Sequence, residues 1–180
     1  MGLFMGTTRK PRRSPNQGAV VTVETFNIPE AKKGQASAEQ LQSDLDRFLD
    51  PRGVVHHNYA PQGQNINKEY YLEVLRCLRD VVRRKRPDQW AAGMWQLHHD
   101  NTPAHSSQLI QTFLAKHNIP VVWQAPYFPD MAPCDFWLFP HLKTQLIGTR
   151  FESRDDIIWN TTAKLYSICK EAFQKCFEQW

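Results

Sequence analysis

Two stretches govern how this chain reads: Leu97-His98-His99-Asp100-Asn101-Thr102-Pro103-Ala104-His105 and Tyr127-Phe128-Pro129-Asp130-Met131-Ala132-Pro133-Cys134-Asp135-Phe136. Each ends or turns on an aspartate in a strongly punctuated context. Between Asp100 and Asp135 lie 34 residues, 101–134. Two carboxylates delivered from separate elements suit a hard divalent cation such as Mg²⁺. A pair of such ions can clamp the attacking and leaving oxygens of a phosphodiester. Taken singly, Asp135 reads better as a helix cap and Asp100 as a turn residue beside Asn101. The pair together, with the words around it, points to a phosphoryl-transfer site.

Working outward, the local signals alternate. Ala19 to Phe26 is β-branched and could form a strand. Leu41, Leu45, Phe48 and Leu49 are spaced for a short amphipathic helix, running into the turn Asp50-Pro51-Arg52-Gly53. Val54 to Tyr59 reads as a strand. Asn67 caps a helix through about Arg86, with Tyr71, Leu75, Leu78 and Val82 as its apolar stripe and Pro87 as its stop. Met94 to His99 alternates as a strand, which puts Asp100 at its carboxyl end, where α/β sheets carry their chemistry. Ala104 to Lys116 is a second helix and Ile119 to Trp123 a further strand. A helix starts near Pro133 and carries Asp135 in its first turn. Residues 153–178 are helical, entered through a box-like start at Ser153 and Asp156. The order is that of an α/β layer fold.

At 180 residues the chain is one domain's worth, with 41% hydrophobic residues, six Trp and ten Phe. No apolar run approaches membrane-span length, so no membrane partner is expected. The formal net charge of +4 tilts mildly toward a polyanionic partner. Cys77, Cys134, Cys169 and Cys176 form no Cys-x-x-Cys pair and read as reduced thiols. Residues 1–19 read as a disordered tail; within it, Arg9-Lys10-Pro11-Arg12-Arg13 could be a nuclear-import signal, a phosphate-binding arm or simply solvated. Arg76, Arg79, Arg83, Arg84, Lys85 and Arg86 concentrate positive charge at one helix end. Cations suit a helix C-terminus, but six exceed what capping requires, so Arg79, Arg83, Arg84, Lys85 and Arg86 are candidate DNA-phosphate ligands. His98, His99 and His105 fit no common zinc spacing, and adjacent strand residues face opposite ways. Phe136 to Phe139 reads as core.

The two motifs resemble the mariner family of DNA transposases, whose catalytic domain has an Asp, Asp, 34-residue gap, Asp signature on an RNase H-like (DDE/D transposase and integrase) fold. Gly53-Val54-Val55-His56-His57, Pro61-Gln62-Gly63-Gln64, Asn67 to Leu75, Arg83-Arg84-Lys85-Arg86-Pro87 and Gly148 to Ser153 resemble the same family. The resemblance spans about residues 50–180; residues 1–49 match poorly. It implies two segments: a divergent, partly disordered 1–49, and a truncated catalytic domain over 50–180. By the same resemblance Asp100 and Asp135 are the second and third ligands for Mg²⁺ or Mn²⁺. The reactions would be DNA nicking and strand transfer, the partners DNA and a second copy in a homodimer, and the location the nucleus. The family's first aspartate sits on the opening strand in a Gly-Asp-Glu-type setting. No such setting occurs here, and Glu24 is its one plausible stand-in. The fold is therefore expected to be incomplete at its first strand, exposing a sheet edge, and the enzyme to be crippled. The rival readings are a non-catalytic DNA- or partner-binding remnant and a non-functional decayed copy.

Overall fold

A computed structural model describes residues 20–24, 45–61, 64–124, 132–146, 151 and 153–180. The basic run at 9–13, Tyr127 to Met131 of the second motif, and Gly148 to Arg150 lie outside them. Five strands form one sheet: β1 (Val20–Glu24), β2 (Leu45–Asp50), β3 (Gly53–Tyr59), β4 (Gln96–His99) and β5 (Val121–Trp123), in the order β3-β2-β1-β4-β5. β1 pairs antiparallel with β2 and parallel with β4, and β5 adds in parallel to β4.

This topology corrects the expectation of a missing first strand. β1 is present and central, and the sheet edges belong to β3 and β5. The sheet therefore draws on residues upstream of position 50, where the resemblance begins. The helix expected around Leu41 to Leu49 is also corrected, because Leu45–Asp50 is strand β2. Within six residues, helical and extended spacing are hard to separate, and the two-sided sheet resolves them. Phe48 faces the core under the first long helix and its neighbour Leu49 faces a second core on the opposite side. Both are fully buried, as alternation on a sheet covered on both faces requires.

The β2–β3 hairpin turns on Asp50, whose Oδ1 accepts the Arg52 backbone N–H at 2.8 Å, and on Gly53, whose φ of 120° few side-chain-bearing residues adopt. α1 (Lys68–Lys85) starts as the sequence predicts. Asn67 Oδ1 accepts the Tyr70 N–H at 2.9 Å, and Tyr71, Val74, Leu75, Leu78 and Val82 line the buried stripe. α2 (Pro87–Ala92) follows at once and ends on Gly93 in the left-handed conformation. α3 (Gln108–Lys116) covers the same sheet face as α1, through Ile110 and Leu114.

The opposite face is closed by a π-helical turn (Cys134–Leu138), α4 (Phe139–Leu146), α5 (Arg154–Ser167) and α6 (Lys170–Gln179). The helical region expected over 153–178 is thus two helices. Its start is as read, with Ser153 Oγ accepting the Asp156 N–H at 3.1 Å. The π turn has a local cause in Pro140. Proline has no N–H to give, and its ring would strike the carbonyl of Phe136 in a regular α-helix. Widening the preceding turn, so that the Phe139 N–H reaches Cys134 O, avoids that clash.

Candidate active site

Asp100 stands immediately after β4, and the strand delivers it through two buried histidines of opposite orientation. His98 faces the α6 side, edge-on to Trp180 at 5.1 Å between centroids. His99 faces α1, stacked on Tyr71, and its Nδ1 lies 3.1 Å from the Tyr71 hydroxyl. Burial lowers the pKa of His98 to about 4 and that of His99 to about 3, so both rings are neutral at physiological pH. Among the described residues no cluster of three or more His, Cys, Asp or Glu could hold a metal ion.

Past Asp100 the chain folds back on itself. Thr102-Pro103-Ala104-His105 is a turn closed by the His105 N–H on Thr102 O at 3.0 Å, with proline at the position where its fixed φ helps. The turn returns the His105 ring to the Asp100 carboxylate, Nδ1 to Oδ1 2.5 Å. The Thr102 backbone N–H lands on the same Oδ1 at 3.1 Å. Burial alone would raise the carboxyl pKa; the hydrogen bond and charge of His105, with the Thr102 N–H, outweigh it and leave Asp100 below its ordinary value. Asn101 Nδ2 donates to Gln124 O at 2.9 Å, tying this loop to the end of β5.

Asp135 lies in the π-helical turn, half-buried, with its N–H donating to Ala132 O at 3.0 Å. That turn packs against β1, the strand beside β4. Asp100 and the Asp135 turn therefore flank the same central strand. Asp100 has the chemistry a hard cation takes: His105 and the Thr102 backbone hold Oδ1, the Thr102 side chain adds a further hydrogen bond, and the side chain is 23% exposed. β1 supplies no aspartate. Its one acid is Glu24, whose antiparallel partner is Arg47. Thr22 pairs with His98 in the parallel ladder, so β1 runs toward the same sheet end as the Asp100 end of β4.

The basic cluster divides. Arg83 makes only an exposed pair with Asp80 at 3.4 Å, and Arg84 and Lys85 are exposed on the last turn of α1. The Arg79 guanidinium lies over the Trp90 ring at 4.8 Å. Arg86 departs from the expected role. Its Nε and Nη2 grip Asp50 at 2.6 and 3.0 Å, so it is committed to the fold and not offered to a phosphate. Two features escape a reading of the sequence. His105 registers there only as a zinc candidate, although its place in the Asp100 motif is a signal for a partner of Asp100. Arg47, fully buried with Nε, Nη1 and Nη2 lacking hydrogen bonds among the described residues, leaves no signal at all.

A five-stranded sheet of this order, helices on both faces and an aspartate at the end of the strand beside the central one define an RNase H-like fold of the DDE class. A family model for the transposase partial DDE domain matches residues 47–92. The mariner Mos1 transposase of Drosophila mauritiana is 31% identical over 111 residues, covering 61% of this chain and 32% of that protein. The human histone-lysine N-methyltransferase SETMAR is 29% identical over 112 residues, covering 58% of this chain and 15% of that protein. The Mos1 catalytic domain superposes with a TM-score of 0.75 at 23% identity, over 89% of this chain and 76% of that one. Its complex with raltegravir and Mn gives 0.75 at 25% identity, over 89% and 76%. The Mos1 paired-end complex with the left transposon end gives 0.74 at 23%, over 91% and 52%. The chain is thus similar in sequence and fold to the catalytic domain of mariner-family transposases, and it spans about a third of the Mos1 protein's length.

Proposed function

We propose that this chain is a mariner transposase-derived DNA-binding domain. Its ancestral reaction is Mg²⁺- or Mn²⁺-dependent cleavage and strand transfer of DNA, and it is catalytically crippled. The observation that carries the reading is the placement of Asp100 at the end of β4, held by His105, and of Asp135 on a turn packed against β1, the strand beside it. A divalent ion held by Asp100 and Asp135 would supply Lewis-acid stabilisation of charge on a scissile phosphate. The chain's own part is to fix Asp100 through His105 and Thr102, and to carry Asp135 on a π turn, a distortion frequent at functional sites. What supports the crippled state is β1, where Val-Val-Thr-Val-Glu has a glutamate and no aspartate.

Solved Mos1 relatives include complexes with Mg, with Mn and with a transposon end, which supports divalent metal and DNA as partners here and a paired, dimeric assembly. Arg83, Arg84 and Lys85, with Arg79 at the flank, are the proposed phosphate ligands, and a nuclear location accords with DNA as partner. Among the described residues no helix is long and apolar enough to cross a membrane.

The test is nicking of supercoiled plasmid with Mg²⁺ or Mn²⁺. The chain as it stands should be near background. Val23→Asp or Glu24→Asp, which restore an aspartate to β1 next to the end of β4, should raise nicking, and Asp135→Ala should abolish the gain. Robust nicking by the unaltered chain, lost in Asp135→Ala, would show that it is not crippled. No nicking by any variant, in folded protein that binds DNA, favours the non-catalytic binding module.

A further inference from the structure

We propose that His105 is the positioning residue of the Asp100 carboxylate: by holding Oδ1 it orients the carboxylate for a divalent cation. This rests on the reading of Asp100 as a metal ligand and adds the device that aims it.

The geometry carries the inference in three steps. The His105 side chain is 1% exposed, so its ring has one place to be. It lies against the Tyr71 ring at 3.8 Å between centroids and parallel to His99 at 5.5 Å. Tyr71 is fixed in turn, fully buried in the core with its hydroxyl on His99 Nδ1. The ring that meets Asp100 is therefore anchored by α1 and β4, not by the loose end of a long side chain. The second step is directional. A carboxylate accepts, so His105 Nδ1 carries the proton and donates it to Oδ1. Thr102 N–H donates to the same oxygen. Two donors on one oxygen fix the carboxylate plane. The third step is energetic. A ligand held in its bound rotamer loses less entropy on coordination, and partners of metal ligands commonly matter by about 10–100-fold in affinity.

A loop-stapling role alone predicts a different result, and three variants separate the two. Manganese is titrated calorimetrically into the purified chain, His105→Leu and His105→Asn, each first shown to unfold cooperatively. Leucine fills the pocket but donates nothing. Asparagine places an amide N–H near the Nδ1 position and keeps the hydrogen bond. His105→Leu should lower Mn²⁺ affinity by about 10–100-fold, and His105→Asn should recover most of it. Tyr71→Phe, which keeps the ring and removes only the hydroxyl, provides a milder variant should His105→Leu not fold, with a smaller loss expected. The tie itself is read without metal, as a strongly downfield imidazole N–H proton that disappears in Asp100→Ala. Equal Mn²⁺ affinity in the chain and His105→Leu, or absence of that proton from the unaltered chain, overturns the positioning role while leaving the metal site standing. Absence of saturable Mn²⁺ binding in the unaltered chain overturns the metal-site reading itself, and the positioning role with it.

Discussion

Arg86 and Asp50 form a buried fork. Nε meets Oδ2 at 2.6 Å and Nη2 meets Oδ1 at 3.0 Å, with the Asp50 side chain fully buried and that of Arg86 11% exposed. The pair joins the end of α1 to the β2–β3 turn, since Asp50 also accepts the Arg52 N–H. Removing one partner of a buried pair strands the other, which costs far more than the intact pair contributes. Arg86→Ala should destabilise the chain by about 3–5 kcal/mol. Arg86→Lys should restore only part of this, because an ammonium cannot match the two-pronged geometry. Urea unfolding compares both with Arg84→Ala, which should be near neutral. Similar midpoints for Arg86→Ala and Arg84→Ala would remove the fork from any structural role.

Arg47 predicts the reverse. Among the described residues its buried guanidinium has no hydrogen-bond partner, and the Phe139 ring lies 4.4 Å away as its cation–π partner. Burial lowers its pKa to about 10, which still leaves it charged at neutral pH. An unsatisfied buried polar group costs about 1–3 kcal/mol. Arg47→Met, of similar length and apolar, should stabilise the chain by an amount of that order. A lower denaturation midpoint for Arg47→Met would mean that the guanidinium has an acceptor after all.

Acid should weaken the fold well above the carboxylate range. His56, stacked on Phe48 at 5.7 Å, has its pKa lowered from 6.5 to about 4, first by burial and then by His57, Lys85 and Arg84. Between those two values the unfolded chain binds a proton that the folded chain refuses. Stability therefore falls as pH drops below 6.5, and the loss is complete below about 4. His98 and His99 act in the same direction. The melting temperature at pH 5 should lie below that at pH 7.5, and His56→Gln should narrow the gap by a few degrees. An unchanged gap in His56→Gln would discard this assignment.

DNA affinity should depend on the exposed end of α1. A triple Arg83→Gln, Arg84→Gln, Lys85→Gln variant should bind duplex DNA more weakly at every sequence. Its log–log salt slope should be shallower by about 0.9 for each phosphate that is no longer neutralised. Fluorescence anisotropy across a salt series measures both. An unaltered slope would move the DNA surface elsewhere on the molecule.

Features that depend on neighbours along the chain are legible in the residues alone. The Asn67 and Ser153 caps, the apolar stripe of α1, and the strand that ends at Asp100 belong to this group, because a cap or a period is written in adjacent residues. So does the spacing that singles out Asp100 and Asp135. The remaining features needed distant segments to meet. Leu45–Asp50 is a strand because Phe48 and Leu49 each have a separate core to enter, on opposite sides of a sheet that no local pattern announces. Val20–Glu24 takes the central place in that sheet because β2 and β4 are there to pair with it. Arg86 leaves the phosphate-binding group because its partner Asp50, 36 residues earlier, lies buried at a turn beside it. His105 acquires its role from Asp100 and Tyr71 together, one five residues away and one on α1. Burial and long-range pairing set these outcomes, and neither exists until the chain has folded.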